Sequence, residues 1–321
     1  LRERVTAWFL RRLGVSVLLV WVVATLVFLA IRLVPGDPAE LLLSQGGAAP
    51  NPAAVGALRE QLGLDRPLLA QYATDLERAV RGDFGQSIQD GSPVAENIAR
   101  RLPRTLELIG AAGLLAVLAG VPAGTLAALR AGGLIDRAGL ALSALAQSVP
   151  VFVLGTLLVL LFAQRLHWVA AGGYVKFADD PARHLLLLAM PAATIAAGLG
   201  AAVFRITRAS VRDVAGRDWV RTARAKGLHP ARILLHHVLR NAIMPVVTVV
   251  ALHLGGLLGG TVLVEYVFNW PGLSGMLVEA VSARDYPEVV GIILVISVLF
   301  VGLNLLLDLA YAVLDPRVRH G

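Results

Sequence analysis

The chain of 321 residues contains no cysteine, which removes disulfides, thiolate metal sites and cysteine nucleophiles in one step. Lysine is almost missing as well. Only Lys176 and Lys226 occur, and neither follows a glycine, so no G-x-x-x-x-G-K-[ST] loop can cradle a phosphate. None of the seven histidines opens an H-E-x-x-H zinc motif, and "GLSGM" at 272–276 lacks the G-x-S-x-G spacing of a hydrolase elbow. These absences disfavour both an ATPase and a membrane enzyme. No fixed-period repeat is found, which weakens folds built from inverted repeats.

The most informative absence is positional. Six stretches carry no Asp, Glu, Lys or Arg: Leu13–Ile31, Leu108–Leu129, Ala138–Ala163, Leu185–Phe204, Ala242–Val264 and Val289–Leu307. Each holds 19 to 26 residues, and at about 1.5 Å of rise per residue each can cross about 30 Å of hydrocarbon. With 57% hydrophobic residues and a mean hydropathy of +0.71, the chain reads as an all-α membrane protein with six transmembrane helices. The first run is longer than a signal-peptide core and leads into "RLVPGDPAE" instead of a small-x-small cleavage site, so it counts as a span. An ion-coupled carrier or channel usually places carboxylates, Lys or Arg near the bilayer centre. Their absence from all six runs removes most support for that class.

Charge then orients the spans. The termini with 130–137 and 205–241 hold 17 Lys+Arg and 6 Asp+Glu, whereas 32–107, 164–184 and 265–288 hold 12 and 16. The positive-inside rule makes the first set cytoplasmic, with both termini on that side. The pI of about 10.5 is thus topological and implies no nucleic acid.

Three parts are expected: 1–34 as a basic lead-in and first span, 35–104 as an external segment, and 105–321 as a five-helix core. In the external segment Asn51-Pro52 reads as N-cap and first turn of a short helix stopped by Gly63, and Pro67 opens a second one that Gly82 closes. Both are expected on the outer membrane surface. Pro122 and Pro150 interrupt spans two and three, where a kink is expected. Gly255, Gly256, Gly259 and Gly260 read as a helix-packing face. Polar residues within or beside the runs are few. Gln147, Ser148, Pro150, His253, Asn304 and Asp308 are the candidate pathway or gating residues, with His253 expected to bond between helices and Gln147 and Asn304 open to the same role. Asn304 and Asp308 share a helix face.

The loop 205–241 is the most basic segment, with nine Lys+Arg and two Asp. A helix-compatible run containing Trp219, Ala223 and Ala225 ends at Lys226. Gly227 sits where a C′ residue belongs, and Pro230 sits in the first turn of a second helix through Ile233, Leu234, Val238 and Leu239. Helix, tight turn, helix is the expectation. A DNA-reading helix-turn-helix, a plain positive-inside anchor and an element that takes force from a soluble motor all fit this pattern, and the tether between two spans speaks against the first.

The same segment resembles the cytoplasmic "EAA" loop of ABC-importer permeases. Gly227 matches that loop's glycine and Ala223 its second alanine. Arg221 and Thr222 stand where Glu and Ala would be, and Leu239-Arg240 replaces Leu-Pro, with proline only at Pro245. "RTARAKGL" and "HHVLRNAIMPVVT" are similar to the peptide/nickel branch. So are "RLVPGDPAE", "GDFGQS", "RLPRTLEL", "FNWPGLSGMLVEAVSARDYP" and "LDPRVR", in that order over nearly the whole chain.

The resemblance implies a type I ABC importer permease fold. It implies a second homologous permease, two ATPase subunits that bind ATP and Mg, an external solute-binding protein and surrounding lipid. No cofactor is expected in this chain. Arg221, Thr222, Ala223, Lys226, Gly227, Leu228 and Arg232 become the expected coupling residues. Peptide is the first choice of cargo and a nickel chelate the second. In the loop 265–288, Phe268, Trp270, Leu273 and Met276 are expected to be exposed, as contacts for the binding protein or a cap over the pathway. The alternative there is a re-entrant piece packed on the membrane.

Overall fold

A computed structural model describes residues 2–33, 40, 51–61 and 65–314. Most of "RLVPGDPAE", all but the first residue of "LDPRVR" and the helix stop expected at Gly63 lie outside those residues. The described chain is almost entirely helical: α1 Arg2–Leu33, α2 Pro52–Gln61, α3 Leu68–Val80, α4 Val94–Leu129, α5 Leu134–Ser148, α6 Val151–Leu158, α7 Pro181–Ala215, α8 Asp218–Ala225, α9 Pro230–Gly260, α10 Val262–Val267, α11 Leu273–Ser282 and α12 Tyr286–Leu314. Among the described residues five helices, α1, α4, α7, α9 and α12, are long and apolar enough to span a membrane. The pair α5 and α6, with the π-helical turn Val159–Arg165, forms a sixth candidate that is bent by 102°.

That bend is larger than the kink expected at Pro150, and the local chemistry explains it. A proline pushes its predecessor out of the helical region, and Val149 is extended at φ −84° and ψ 124°. Pro150 is extended as well, at ψ 137°. Two extended residues in succession turn a kink into a corner. Pro122, by contrast, lies inside α4 without ending it.

The chain divides into two compact units, one drawn from 1–101 and 276–305 and the other from 102–275 and 306–314. In the first, Asn51 caps α2 by accepting from the Ala53 N–H at 3.0 Å, and Gly82, at φ +75°, follows the end of α3. Tyr72 of α3 meets α1 through Thr25 at 2.7 Å and the Phe28 ring at 5.2 Å. The "GDFGQS" loop is held by Asp285, which is fully buried. It accepts from the Ser87 hydroxyl at 2.5 Å and the Ile88 N–H at 2.9 Å. Asn97 donates to Glu288 at 3.1 Å beside it.

The second unit is built on α4 and α7. Gly120 and Gly124 let the two backbones approach so closely that a Cβ at Gly120 would lie 2.9 Å from the Gly200 oxygen, and one at Gly124 2.6 Å from the Phe204 oxygen. Small residues at helix contacts are the usual means of close packing in lipid, where no hydrophobic force separates helix from solvent. Ala116, Leu199, Val203 and Val246 fill the layer around this contact and bring α9 against it. Within this chain the packing face expected on α9 is met only at Gly255. Gly255 is buried, but Gly256, Gly259 and Gly260 have nothing within 4 Å of where a Cβ would stand.

Gly124→Ala should lower the melting temperature of the detergent-purified protein, since overpacking typically costs about 1–3 kcal/mol. Gly110→Ala, on the same helix with open space around it, should leave the melting temperature unchanged or raise it. Equal effects would show that the α4–α7 approach is not tight.

Candidate functional site

The two ends of the α4–α7 pair carry the two candidate sites. At the end formed by Ala128, Val211 and Val214, an apolar cluster supports α8 and the start of α9. Here the sequence reading of helix, turn, helix is met in detail. The Gly227 N–H donates to the Arg224 oxygen at 2.9 Å and the Leu228 N–H to the Ala223 oxygen at 3.3 Å. Gly227 has φ +74°. This is a Schellman stop, and the hydrophobic contact that accompanies it is made by Leu228 and Ala223 within the cluster. His229 then caps the next helix, accepting from the Ala231 N–H at 3.3 Å, with Pro230 in the first turn.

The elbow has two faces. Val220, Ala223, Ile233 and Val238 are buried, while Arg221, Thr222, Arg224, Lys226 and Arg232 are exposed. Trp219 is 51% exposed among these cations, with the Arg217 guanidinium 5.9 Å from its ring. Of the seven residues expected to couple, Ala223 and Leu228 therefore hold the elbow in place, Gly227 makes the turn, and the other four present themselves outward. The elbow continues without a break into α9 through the π-helical turn Ile233–Leu239. A displacement of the elbow is thus a displacement of that helix.

The other end is a polar hub closed over by aromatic rings. Glu265, only 1% exposed, accepts from Thr105 at 2.9 Å and Thr261 at 3.0 Å on one oxygen, and from the Gly275 N–H at 2.7 Å on the other. Thr105 in turn accepts from the Leu273 N–H at 2.7 Å. A Cβ at Gly272 would fall on the Glu265 carboxylate, and one at Gly172 on the Phe268 oxygen. Both positions require glycine for that reason. Asn269 takes the left-handed conformation at φ +47°, which Asn tolerates better than most residues. The stretch from Glu265 to Gly275 thus folds inward around its own carboxylate. The Trp270 indole N–H donates to the Arg104 oxygen at 3.0 Å, and the Trp270 ring meets Tyr174 at 5.1 Å and His184 at 6.0 Å.

This geometry corrects the expected exposure of Phe268, Trp270, Leu273 and Met276, all of which are buried. Their place in a loop between two spans indicated a surface, but Glu265 and Thr105 draw that loop into the protein. The candidate pathway residues are not brought together either. Gln147 accepts from Arg205 at 2.9 Å. Ser148, His253 and Asn304 each bond a carbonyl four residues back in their own helix, at 2.8 to 2.9 Å, so the interhelical bond expected of His253 is not made. Asp308 lies one turn after Asn304 on α12. Pro150 marks the α5–α6 corner.

Sequence reasoning missed Glu265, Thr105, Arg104, Glu107 and His184. The signal was present, because Glu107, His184 and Glu265 each abut the end of a charge-free run. Burial holds the Glu265 carboxyl above the usual carboxylate range, against the opposing pull of the Gly275, Thr105 and Thr261 hydrogen bonds.

Comparison with known proteins agrees with this architecture. Residues 120–320 match the model of the binding-protein-dependent transport system inner membrane component, and residues 5–109 match the N-terminal model of the same membrane component. A probable peptide ABC transporter permease protein, y4tP, of Sinorhizobium fredii is 40% identical over 98% of this chain and 99% of its own length. The glutathione transport system permease protein GsiC of Escherichia coli K12 is 41% identical over 94% of both chains. Among solved structures, an inward-facing form of the MetNI methionine ABC transporter is similar at a TM-score of 0.55, with 17% identity over 68% of this chain and 96% of that one. At that identity the likeness speaks to the fold alone.

Two predictions follow from the hub. Trp270→Ala should destabilise the protein by about 3–5 kcal/mol, as loss of a buried aromatic does, and should show as a lower yield of folded protein. A surface contact would instead leave folding intact. Glu265 supplies the second. Its carboxyl is raised in the folded state, so the stability it permits is full below the unfolded value of 4.5 and declines as pH rises through the folded value. Glu265→Gln should flatten that decline in thermal melts taken upward from mildly acidic pH, and an unchanged slope would contradict a carboxyl raised by burial.

Proposed function

The chain belongs to the family of binding-protein-dependent transport system inner membrane components, and we propose that it carries peptides across the inner membrane with energy taken up at the Gly227 elbow. The observation that carries this reading is the elbow itself. It is a rigid Schellman turn, apolar on its inner face and cationic on its outer face, attached directly to a spanning helix in a chain with no phosphate loop of its own.

In this reading two ATPase subunits bind beneath the elbow, and a second, homologous permease completes the pathway. A solute-binding protein delivers cargo on the opposite side. The elbow side is read as cytoplasmic, which the distribution of arginine supports under the positive-inside rule, and both termini then lie inside a prokaryotic cell. Closing of the ATPase dimer on ATP moves the exposed surface of Trp219, Arg221, Thr222, Arg224, Lys226 and Arg232. That motion passes to α9 through Ile233–Leu239, and to α4 and α7 through the cluster at Val211 and Val214. Alternating access then needs two arrangements of packed helices, biased at one end by ATP and at the other by cargo.

Peptide cargo is supported by the relatives, a probable peptide permease and a glutathione permease. No group of three or more His, Cys, Asp or Glu suited to a metal ion occurs among the described residues, which gives the nickel alternative no support. Calorimetry on the partner binding protein decides the cargo. Peptide should bind and Ni(II) should not, and the reverse result would replace peptide with a nickel chelate.

The coupling role has its own test. Gly227→Val places a β-branched residue at φ +74°, where such residues are strained. Vesicles holding the assembled variant should still hydrolyse ATP but lose most peptide uptake, whereas Gly227→Asn should retain most uptake. Normal uptake and normal stimulated hydrolysis in the valine variant would remove the coupling role from the turn.

A further inference from the structure

His184 stands at the start of α7, 1% exposed, and both of its ring nitrogens face oxygen acceptors. Nδ1 lies 2.7 Å from the Val175 carbonyl oxygen, and Nε2 lies 2.7 Å from Oε1 of Glu107 on α4. A carbonyl oxygen can only accept, so Nδ1 must carry a hydrogen. In a neutral imidazole that leaves a bare lone pair on Nε2, directed at a carboxylate oxygen at hydrogen-bond distance. Two lone pairs do not sit at 2.7 Å in a dry site, so a hydrogen must lie between them. It belongs either to an imidazolium facing a carboxylate or to a carboxylic acid facing an imidazole. Both arrangements hold one proton more than a neutral imidazole and a free carboxylate.

The surroundings leave the ring no other way to satisfy itself. Tyr174, Phe177 and Trp270 stand edge-on to it at 5.7, 5.6 and 6.0 Å. Rotating the imidazole away from Glu107 would displace those rings. The ionisable and charged groups around it come from four segments. Glu107 and, one turn earlier, Arg104 lie on α4, with the Arg104 guanidinium 4.6 Å from the centre of the Tyr174 ring. Tyr174 comes from the loop before α7. Asp180 and Arg183 flank His184 on its own element, where the Asp180 side chain accepts from the Arg183 N–H. Glu265, from the remaining segment, is occupied by Thr105, Thr261 and Gly275. The Glu107 side chain is 34% exposed, which gives the proton a way out.

We infer that His184 and Glu107 form a proton-binding site that locks α4 to α7 at the end closed by Trp270. Loss of the shared proton turns the Nε2–Oε1 hydrogen bond into a repulsion, moves Glu107 toward solvent and loosens the aromatic cover. The site lies at the opposite end of both helices from the elbow.

The test is amide hydrogen exchange of 166–180 and 262–272 in the full chain reconstituted in lipid nanodiscs, corrected for the intrinsic pH dependence of exchange. Opening linked to loss of one proton rises about tenfold per pH unit once the site titrates. The wild-type segments should show that rise within a pH series taken from about 5 to 9. In Glu107→Gln the amide N–H can donate to a neutral imidazole, so no added proton is needed. Protection should persist in that variant and its slope should disappear. A wild type without the rise over that range overturns the proposal, even if the variant does not fold. An identical rise in wild type and variant overturns it as well. Neither cargo nor ATPase is present, so the result is independent of the transport reading.

Discussion

Everything at the two ends of the second unit depends on the backbone approach of α4 and α7 at Gly120 and Gly124. A side chain at either position would press on the backbone of the other helix. The glycines therefore fix the register in which the pair runs. With that register set, Ala128, Val211 and Val214 meet at one end and make the seat of the elbow. At the other end Thr105 reaches Glu265 and Glu107 reaches His184. Neither site would exist if the two helices slid by a turn.

The lipid environment explains why the polar groups are found where they are. In a hydrocarbon layer each unpaired polar group is costly, and ionisable side chains are kept out of the middle. The protein places its polar fastenings at the ends of the spans. The Asp136 carboxylate, for example, accepts from the Arg208 guanidinium and from the Gly132 N–H at 2.8 Å, beside the elbow end of α7. Within the second unit the α4–α7 pair thus has an apolar middle and two chemically distinct ends. A permease of this family works together with ATPase subunits and a substrate-binding protein.

Much of this was legible in the sequence, for identifiable reasons. Charge-free runs mark spans because lipid forbids charge there, and the five long helices and the broken sixth coincide with the six runs. Gly227 and Pro230 marked the elbow because a Schellman stop needs a positive φ and the next helix favours proline in its first turn. The interior of the segment around Trp270 was not legible. A loop between spans reads as surface, but a carboxylate one residue beyond the end of a run draws it inward, and one of its partners, Thr105, lies more than a hundred residues earlier. Charge-free runs show where ionisable groups are absent, but the residues at their edges decide how the ends close. The polar pathway candidates are dispersed for a related reason. Ser148, His253 and Asn304 satisfy themselves on their own helices, which residue type alone does not reveal.

The central claim is that α4, α7 and the elbow form one body whose motion links the two ends. The protein lacks cysteine, so two introduced cysteines provide the only spin-label sites in the chain. Labels at Leu106, near the aromatic end of α4, and Arg224, on the elbow, are both at exposed positions. In the assembled transporter the distance between them should stay constant within about 2 Å, the scale of ordinary helix shifts, between the ATP-bound and nucleotide-free states. A change several times larger would show that the elbow moves independently of the helices it is seated on, and would contradict the account.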